Sequence, residues 1–497
     1  LKGDVHASLL TFFKENYSAN RMALVVLSNE TLDEMQPWVT ETFLPIKNRR
    51  LEASKINKPI YKAGQLPATL VFDNIKDAHR VGYAFPMPSI QAYYRKKPVQ
   101  YISNLLGHEG DGSLHALLNE KGWIKELSAG ESQIDDGNSV MSVNISLTKA
   151  GSVHVDEISA YLFAYLDLLK DGQIEEWIYQ EQATVAQLAF RFSEKSSAMN
   201  AVRSIAPALQ HFPPEDLLVA SFLMEEFDAS LIRSFLTLLT RDNVLMTLSS
   251  PGYKGQSTEA WFGVSYDLKL GDIPVATVDS STLELPEANP FLPESLGLTQ
   301  GDSLGPRPVI ADKGLELYMD TDLEFNVPRA VIHVSLRNDG GFIALADAAQ
   351  SQLYSMLVQD DLNALAYPAL LAGVSYQIAA PPRGFRVSVG GYNDKQLVLL
   401  KEVLTRLMNL EIKEDRFDVV KGELIKDLAN SLKNKPFLQS YQRSKDELLD
   451  SSWTAEQVIG AVEGVTPESL AAWRDSVLQE MSIQGLVHGN VTKARVD

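Results

Sequence analysis

The sequence predicts an α+β protein made of repeated two-layer αβ domains, with antiparallel-rich sheets covered by long helices. Three observations predict it. A helix–turn–strand pattern recurs along the chain, several runs alternate apolar and polar residues as half-buried strands do, and pairs of long amphipathic helices are joined by short acidic turns.

The helix–turn–strand pattern appears first as LLTFFKENYSANRMALVVLSNET at 9–31, where MALVVL is the expected strand. It returns as LIRSFLTLLTRDNVLMTLSSPGY at 231–253 and as LAAWRDSVLQEMSIQGLVHGNVT at 470–492. The spacing is roughly 220 to 240 residues, the size of one domain. The helix pair at 154–182 matches that at 394–423. The strand–turn–strand stretch at 67–89 matches 314–339, and the alternating run VMSVNISLT at 140–148 matches GFRVSVGGY at 384–392. In the first copy the strand leads into a helix, TLDEMQPWVTETFLPI. The third copy ends with its strand, and the chain does not begin with Met, so the expectation is a segment of a longer protein.

Residues 281–309, STLELPEANPFLPESLGLTQGDSLGPRPV, hold Pro286, Pro290, Pro293, Pro306 and Pro308, which no regular helix or central strand accommodates. This stretch reads as an interdomain linker. A weaker boundary lies at 47–60, KNRRLEASKINKPI. The expected divisions are 1–53, the end of one domain; 54–280, a complete second domain; the linker at 281–309; and 310–497, most of a third.

The 497 residues carry a net charge of −19, which opposes nucleic acid as the main partner because phosphate binding needs clustered Lys and Arg. The absence of Cys removes disulfides, thiolate zinc sites and cysteine nucleophiles. No apolar run approaches the length of a membrane span, and the N-terminus has no signal-peptide pattern. No phosphate-binding loop or dinucleotide fingerprint is present, and Ser113 lacks the G-x-S-x-G surroundings of a nucleophile. Trp177, Phe190 and Phe192 fall on helical patterns and are expected in the core, with Tyr93 and Tyr94 packed at a turn. Asn393 or Asp394, in GYNDKQ, is the expected cap of the following helix.

Four segments carry a family resemblance: YSANRMALVVLSNETLDEM at 17–35, the stretch from Arg80 to Ser132 with its run LLGHEGDGSLHALLNEKGW, EEWIYQEQATVAQLAFRFSEK at 175–195, and GYNDKQLVLLKEVLTRL at 391–407 with LVHGNVTK at 486–493. Together they resemble the insulysin/pitrilysin family of zinc metalloendopeptidases over essentially the whole chain. That resemblance implies four similar αβ domains in two halves that close around a peptide. It also implies a zinc ion held by H-x-x-E-H on a helix. The eight His here, at 6, 79, 108, 115, 154, 211, 333 and 488, include no pair four residues apart, so the motif is missing. His108, Glu109 and His115 form an alternative donor set, but Gly107, Gly110 and Gly112 interrupt the helix that would align them. Zinc is therefore expected in the parent protein, and no catalytic or metal-binding residue is expected in this chain.

The resemblance places a substrate-anchoring exosite on Ser103, Asn104 and Glu109 and on the edge strand Leu127, Ser128, Ala129, Gly130 and Glu131. There a peptide would add as a strand, with Glu109 or Glu131 pairing its α-amino group. The insulysin branch carries Gly and His where Ser103 and Asn104 stand. The expected partners are peptide substrates and the parent's remaining domains, with no nucleic acid and no membrane span. The alternative is a natural non-catalytic peptide-binding or partner subunit of the same fold. The resemblance suggests the bacterial periplasm as compartment, with the cytoplasm as alternative.

Overall fold

A computed structural model describes residues 4–52, 56, 58–74, 76, 78–299, 305–338, 342–479 and 481–493. Two helices open the chain, α1 (Val5–Asn16) and α2 (Leu32–Phe43). The latter starts in a capping box in which Thr31 and Glu34 exchange hydrogen bonds. Neither helix buries a residue. The strand expected at 22–27 does not form. A strand is held by its neighbours, and among the described residues none lies beside this extended segment, whose Leu24, Val26 and Leu27 are exposed.

The first sheet unit follows as β1 (Ala68–Asn74), β2 (His79–Pro88), α3 (Pro98–Leu106), α4 (Leu114–Glu120), β3 (Ile124–Gln133), β4 (Asn138–Leu147), α5 (Val155–Asp171), α6 (Glu176–Arg191), α7 (Ala198–Ala208), α8 (Ala229–Leu236), β5 (Leu245–Pro251), β6 (Ser257–Thr258) and β7 (Ser265–Leu270). The second contains β8 (Arg307–Asp312), β9 (Leu315–Thr321), β10 (Arg329–Arg337), α9 (Leu345–Leu371), β11 (Val374–Ala379), β12 (Gly384–Tyr392), α10 (Gln396–Asn409), α11 (Glu414–Ser431), α12 (Pro436–Leu448), α13 (Ala455–Glu463), α14 (Pro467–Leu478) and β13 (Ser482–Gly489).

The sheets share a five-strand core of one topology and differ beyond it: the strand beside β1 is β7, which follows β5 in the chain, whereas the strand beside β9 is β8, which precedes β9. The first runs β3-β4-β2-β5-β1-β7-β6 and the second β11-β12-β10-β13-β9-β8. In each, a late strand inserts between two consecutive earlier ones: β5 lies parallel to β1 and antiparallel to β2, and β13 does the same with β9 and β10. That parallel pairing requires a long crossover, which the helices supply. Alternation along β4 and β12 buries Met141, Val143, Ile145, Phe385, Val387 and Val389 under the helices, which contribute Leu162, Tyr165, Leu353 and Tyr354.

Helix α6 belongs to both cores, with Ile178 and Tyr179 in the first and Leu188 and Phe192 in the second. Its register leaves Trp177 and Phe190 exposed, which corrects the expectation that they are core; Phe190 instead packs against Phe222. Tyr93 packs edge-on against Phe235, and the Tyr94 hydroxyl donates to Asp216. Helix α10 starts at Gln396, and its N-cap residue is Lys395, which makes no side-chain cap, so the expected Asn393 or Asp394 cap is also corrected. Asn393 donates to the Asn490 carbonyl, and Asp394 accepts from the Glu294 and Ser295 N–H groups.

Those last bonds belong to the 281–309 stretch, whose described residues form a strap rather than a free tether. Leu283 enters the first core and Phe291 the second, and Asn289 donates to the Pro368 carbonyl. From Arg307 the chain is β8, an edge strand, where Pro308 is tolerated.

Candidate functional site: an open sheet edge beside a broken helix

Helix α3 stops at Gly107, and the segment His108–Gly112 separates it from α4. Gly112 has φ +74°, a conformation that only Gly adopts freely, and a side chain there would press on Glu284. Ser113 restarts the helix, its hydroxyl accepting from the Ala116 N–H at 3.1 Å. The seven residues of α4 then lead through Gly122 into β3.

Strand β3 is the edge of its sheet, bonded to β4 on one side and to no strand on the other among the described residues. A bulge between Ile124 and Glu126 shifts its register. Leu127 is buried in the core, whereas Ser128 is exposed and Ala129, Gly130 and Glu131 are half-buried. Nothing lies within 4 Å of a Cβ built on Gly130. Ser103 Oγ lies 3.0 Å from Glu131 Oε2 and 3.1 Å from the Gln100 carbonyl, two acceptors that share its single proton, which ties the strand's carboxylate to α3. Asn104 Oδ1 accepts from Gln182 Nε2 at 3.1 Å, which ties α3 to α6.

Glu109 faces elsewhere. Its carboxylate accepts from Asn363 Nδ2 on α9 at 2.9 Å and stands 3.8 Å from His115 Nε2. Beside it the Tyr367 hydroxyl donates to the Gly107 carbonyl at 2.9 Å, and the His108 ring meets Tyr367 edge-on. Further along this seam Arg416 pairs with Asp360 through two N–H groups and donates to the Asn119 carbonyl at 2.7 Å; Lys125 pairs with Glu423. Open cavities of about 320 and 420 Å³ flank Arg416 and share Glu109, His115, Asn119 and Asn363 in their walls. Burial lowers the pKa of both histidines, that of His108 to about 4; for His115 the Glu109 and Asp360 carboxylates oppose the shift and Arg416 adds to it. Burial raises the Glu423 carboxyl, with Lys125 opposing.

Residues 190–461 match the family described as the middle or third domain of peptidase M16, and residues 5–185 match the peptidase M16 inactive domain. The chain belongs to the insulinase (M16) peptidase family. The boundary between the two matches falls within or just before the end of α6, inside the first sheet unit, so matched spans and sheet units do not coincide. Over 503 aligned residues the chain is 31% identical to human insulin-degrading enzyme, covering 99% of this chain and 49% of that protein. It is 28% identical to the A-factor-processing enzyme of Saccharomyces cerevisiae, covering 98% of this chain and 48% of that protein. The chain thus spans about half the length of these relatives. Among solved structures, pitrilysin superposes with a TM-score of 0.70 at 22% identity, over 99% of this chain and 53% of that one, and shows the same fold.

Insulinase-family relatives are zinc peptidases, and the donors present here do not fit that metal. His108 Nδ1 already accepts from the Gly110 N–H at 3.1 Å, and His115 has one carboxylate, that of Glu109, at 3.8 Å. Among the described residues no group of three His, Asp or Glu side chains could hold a metal ion. The described residues also contain no helix long and apolar enough to cross a membrane.

The structure divides the exosite residues inferred from sequence into two sets. Ser103 and Glu131 meet on the strand edge with Ser128, Ala129 and Gly130, while Glu109 joins the seam between the sheet units and Asn104 points to α6. Sequence reasoning missed Asn119, Asp360, Asn363, Tyr367 and Arg416. The Glu109–Asn363 contact joins residues 254 positions apart, beyond any local pattern.

Proposed function

We propose that this chain is a non-catalytic, peptide-anchoring part of a zinc-dependent metalloendopeptidase that encloses and degrades peptides. An extended peptide adds to the outer side of β3, as in β-augmentation, where main-chain hydrogen bonds give affinity without reading sequence. Ser128, Ala129 and Gly130 let its backbone approach, and Glu131 receives its α-amino group. The observation that carries this reading is the open edge of a ten-residue strand with small residues and a Ser103-held carboxylate. Glu109, already engaged by Asn363, is the second candidate for the amino group. The exposed apolar side chains of α1 and α2, among them Phe12, Phe13 and Trp38, support contact with further protein of the parent. Zinc and bond cleavage belong to that parent.

The test is binding of a fluorescein-labelled peptide to the purified chain, followed by polarisation. Glu131→Lys and Ala129→Leu should each weaken binding about tenfold, the loss of one charge-assisted hydrogen bond or of close backbone approach. Acetylation of the peptide's α-amino group should cost wild type a similar factor and Glu131→Lys little. Unchanged affinity in both variants would rule out anchoring at β3.

A further inference from the structure

A second place in the molecule has the chemistry of a binding site and lies apart from the β3 edge. On β10 and β12 the core side is filled by Val334, Leu336, Phe385 and Val387. Alternation therefore puts Ser335, Arg337 and Arg386 together on the opposite face. The register sets Ser335 opposite Arg386 and Arg337 opposite Gly384, so the two arginines are diagonal neighbours. Arg383, in the turn before β12, is the third. It holds φ +88°, a strained backbone for a residue with a side chain. The three surround an open cavity of about 230 Å³, with Gln484 of β13 opposite Ser335. Gln484 Nε2 donates to Glu316 Oε2 at 3.0 Å, which is the acidic group at the border.

Like charges on neighbouring strands repel, and the usual remedy is an interleaved carboxylate. Among the described residues Glu316 bonds to Gln484 instead, and none of the three guanidinium groups makes an ion pair or side-chain hydrogen bond. In a chain of net charge −19 this is an island of positive charge around a concavity. Planar guanidinium forks match oxyanions through paired N–H groups. One carboxylate offers two oxygens, too few for three forks; a phosphate offers three or more and nearly twice the charge.

We infer that the cavity bounded by Arg337, Arg383 and Arg386 binds a phosphate group, either free or esterified. Ser335 supplies a neutral donor, and the guanidiniums supply charge and forks. The site acts as a recognition point and involves no bond-making step.

The experiment is calorimetric titration of the whole chain at low ionic strength with inorganic pyrophosphate, with phosphoserine, and with glutarate as a carboxylate control. Saturable binding of one or both phosphates is expected, the tighter one assigning the source as free or esterified phosphate. Arg337→Ala/Arg386→Ala should weaken it at least about tenfold and Arg386→Lys by about fivefold, since Lys keeps the charge and loses the fork. Arg443→Ala, on the exposed side of α12, should leave affinity unchanged. All the substituted side chains are exposed, and unaltered melting of each variant keeps the comparison valid. Absence of saturable binding, glutarate binding as tight as pyrophosphate, or an equal loss in Arg443→Ala would each overturn the assignment.

Discussion

Between β2 and β3 the first sheet unit has two short helices, α3 and α4; between β10 and β11, at the same point of the same topology, the second has α9, a single helix of 27 residues. The strands that follow also differ: β3 is ten residues long and bulged, β11 six residues long and regular. One fold thus carries a continuous helix in one copy and a glycine-rich break in the other. The break is covered by its counterpart, because Asn363 and Tyr367 of α9 bond to Glu109 and Gly107 within it. The lesson is that the longer edge strand arises where the repeat is interrupted, and that the unbroken copy supports the interruption.

If α9 and α11 brace the broken copy, removing the strongest brace should give the largest effect. Arg416→Ala leaves Asp360 half-buried without its partner and frees the Asn119 carbonyl, so it should destabilise the chain by about 3 kcal/mol in urea unfolding. A loss below about 0.5 kcal/mol would mean the seam does not brace the units.

The break also carries a pH signature that α9 lacks. The unfolded chain takes up a proton on His108 near its ordinary value of 6.5, while the folded chain resists until about 4. The contribution of His108 to stability is therefore full above pH 6.5 and falls as pH drops from about 6.5 towards 4, by up to about 3 kcal/mol. His115 shifts in the same direction. Unfolding midpoints measured across that range should slope less in His108→Gln; an identical slope would place the effect elsewhere.

The edges themselves supply a sharper contrast. Ser375→Leu on β11 should leave peptide affinity within about twofold of wild type, against the tenfold loss at Ala129 of β3. Equal losses at both edges would make strand addition a property of the fold rather than of the interrupted copy. The smallest effect on stability is expected for Tyr367→Phe, which removes one hydrogen bond to Gly107 and should cost about 1 kcal/mol in the same unfolding assay.

Much of this comparison was legible in the sequence. The glycines at 107, 110 and 112 announce the break, and the alternation in VMSVNISLT and GFRVSVGGY marks β4 and β12. The expected core position of Trp177 failed because helical periodicity fixes which residues share a face, while the neighbours decide which face is buried. The expected strand at 22–27 failed because a β-pattern needs a partner strand.

The sequence alone determined the α+β repeat, the family and the lack of paired zinc-binding histidines, since these depend on residue types at short spacing. Only the tertiary structure decided that β5 inserts between β1 and β2 and β13 between β9 and β10, that Glu109 turns to Asn363 while Ser103 holds Glu131, and that three unpaired arginines share one cavity. These arrangements join residues far apart in the chain. Their energies come from packing and desolvation at the place where the segments meet, which no local pattern encodes.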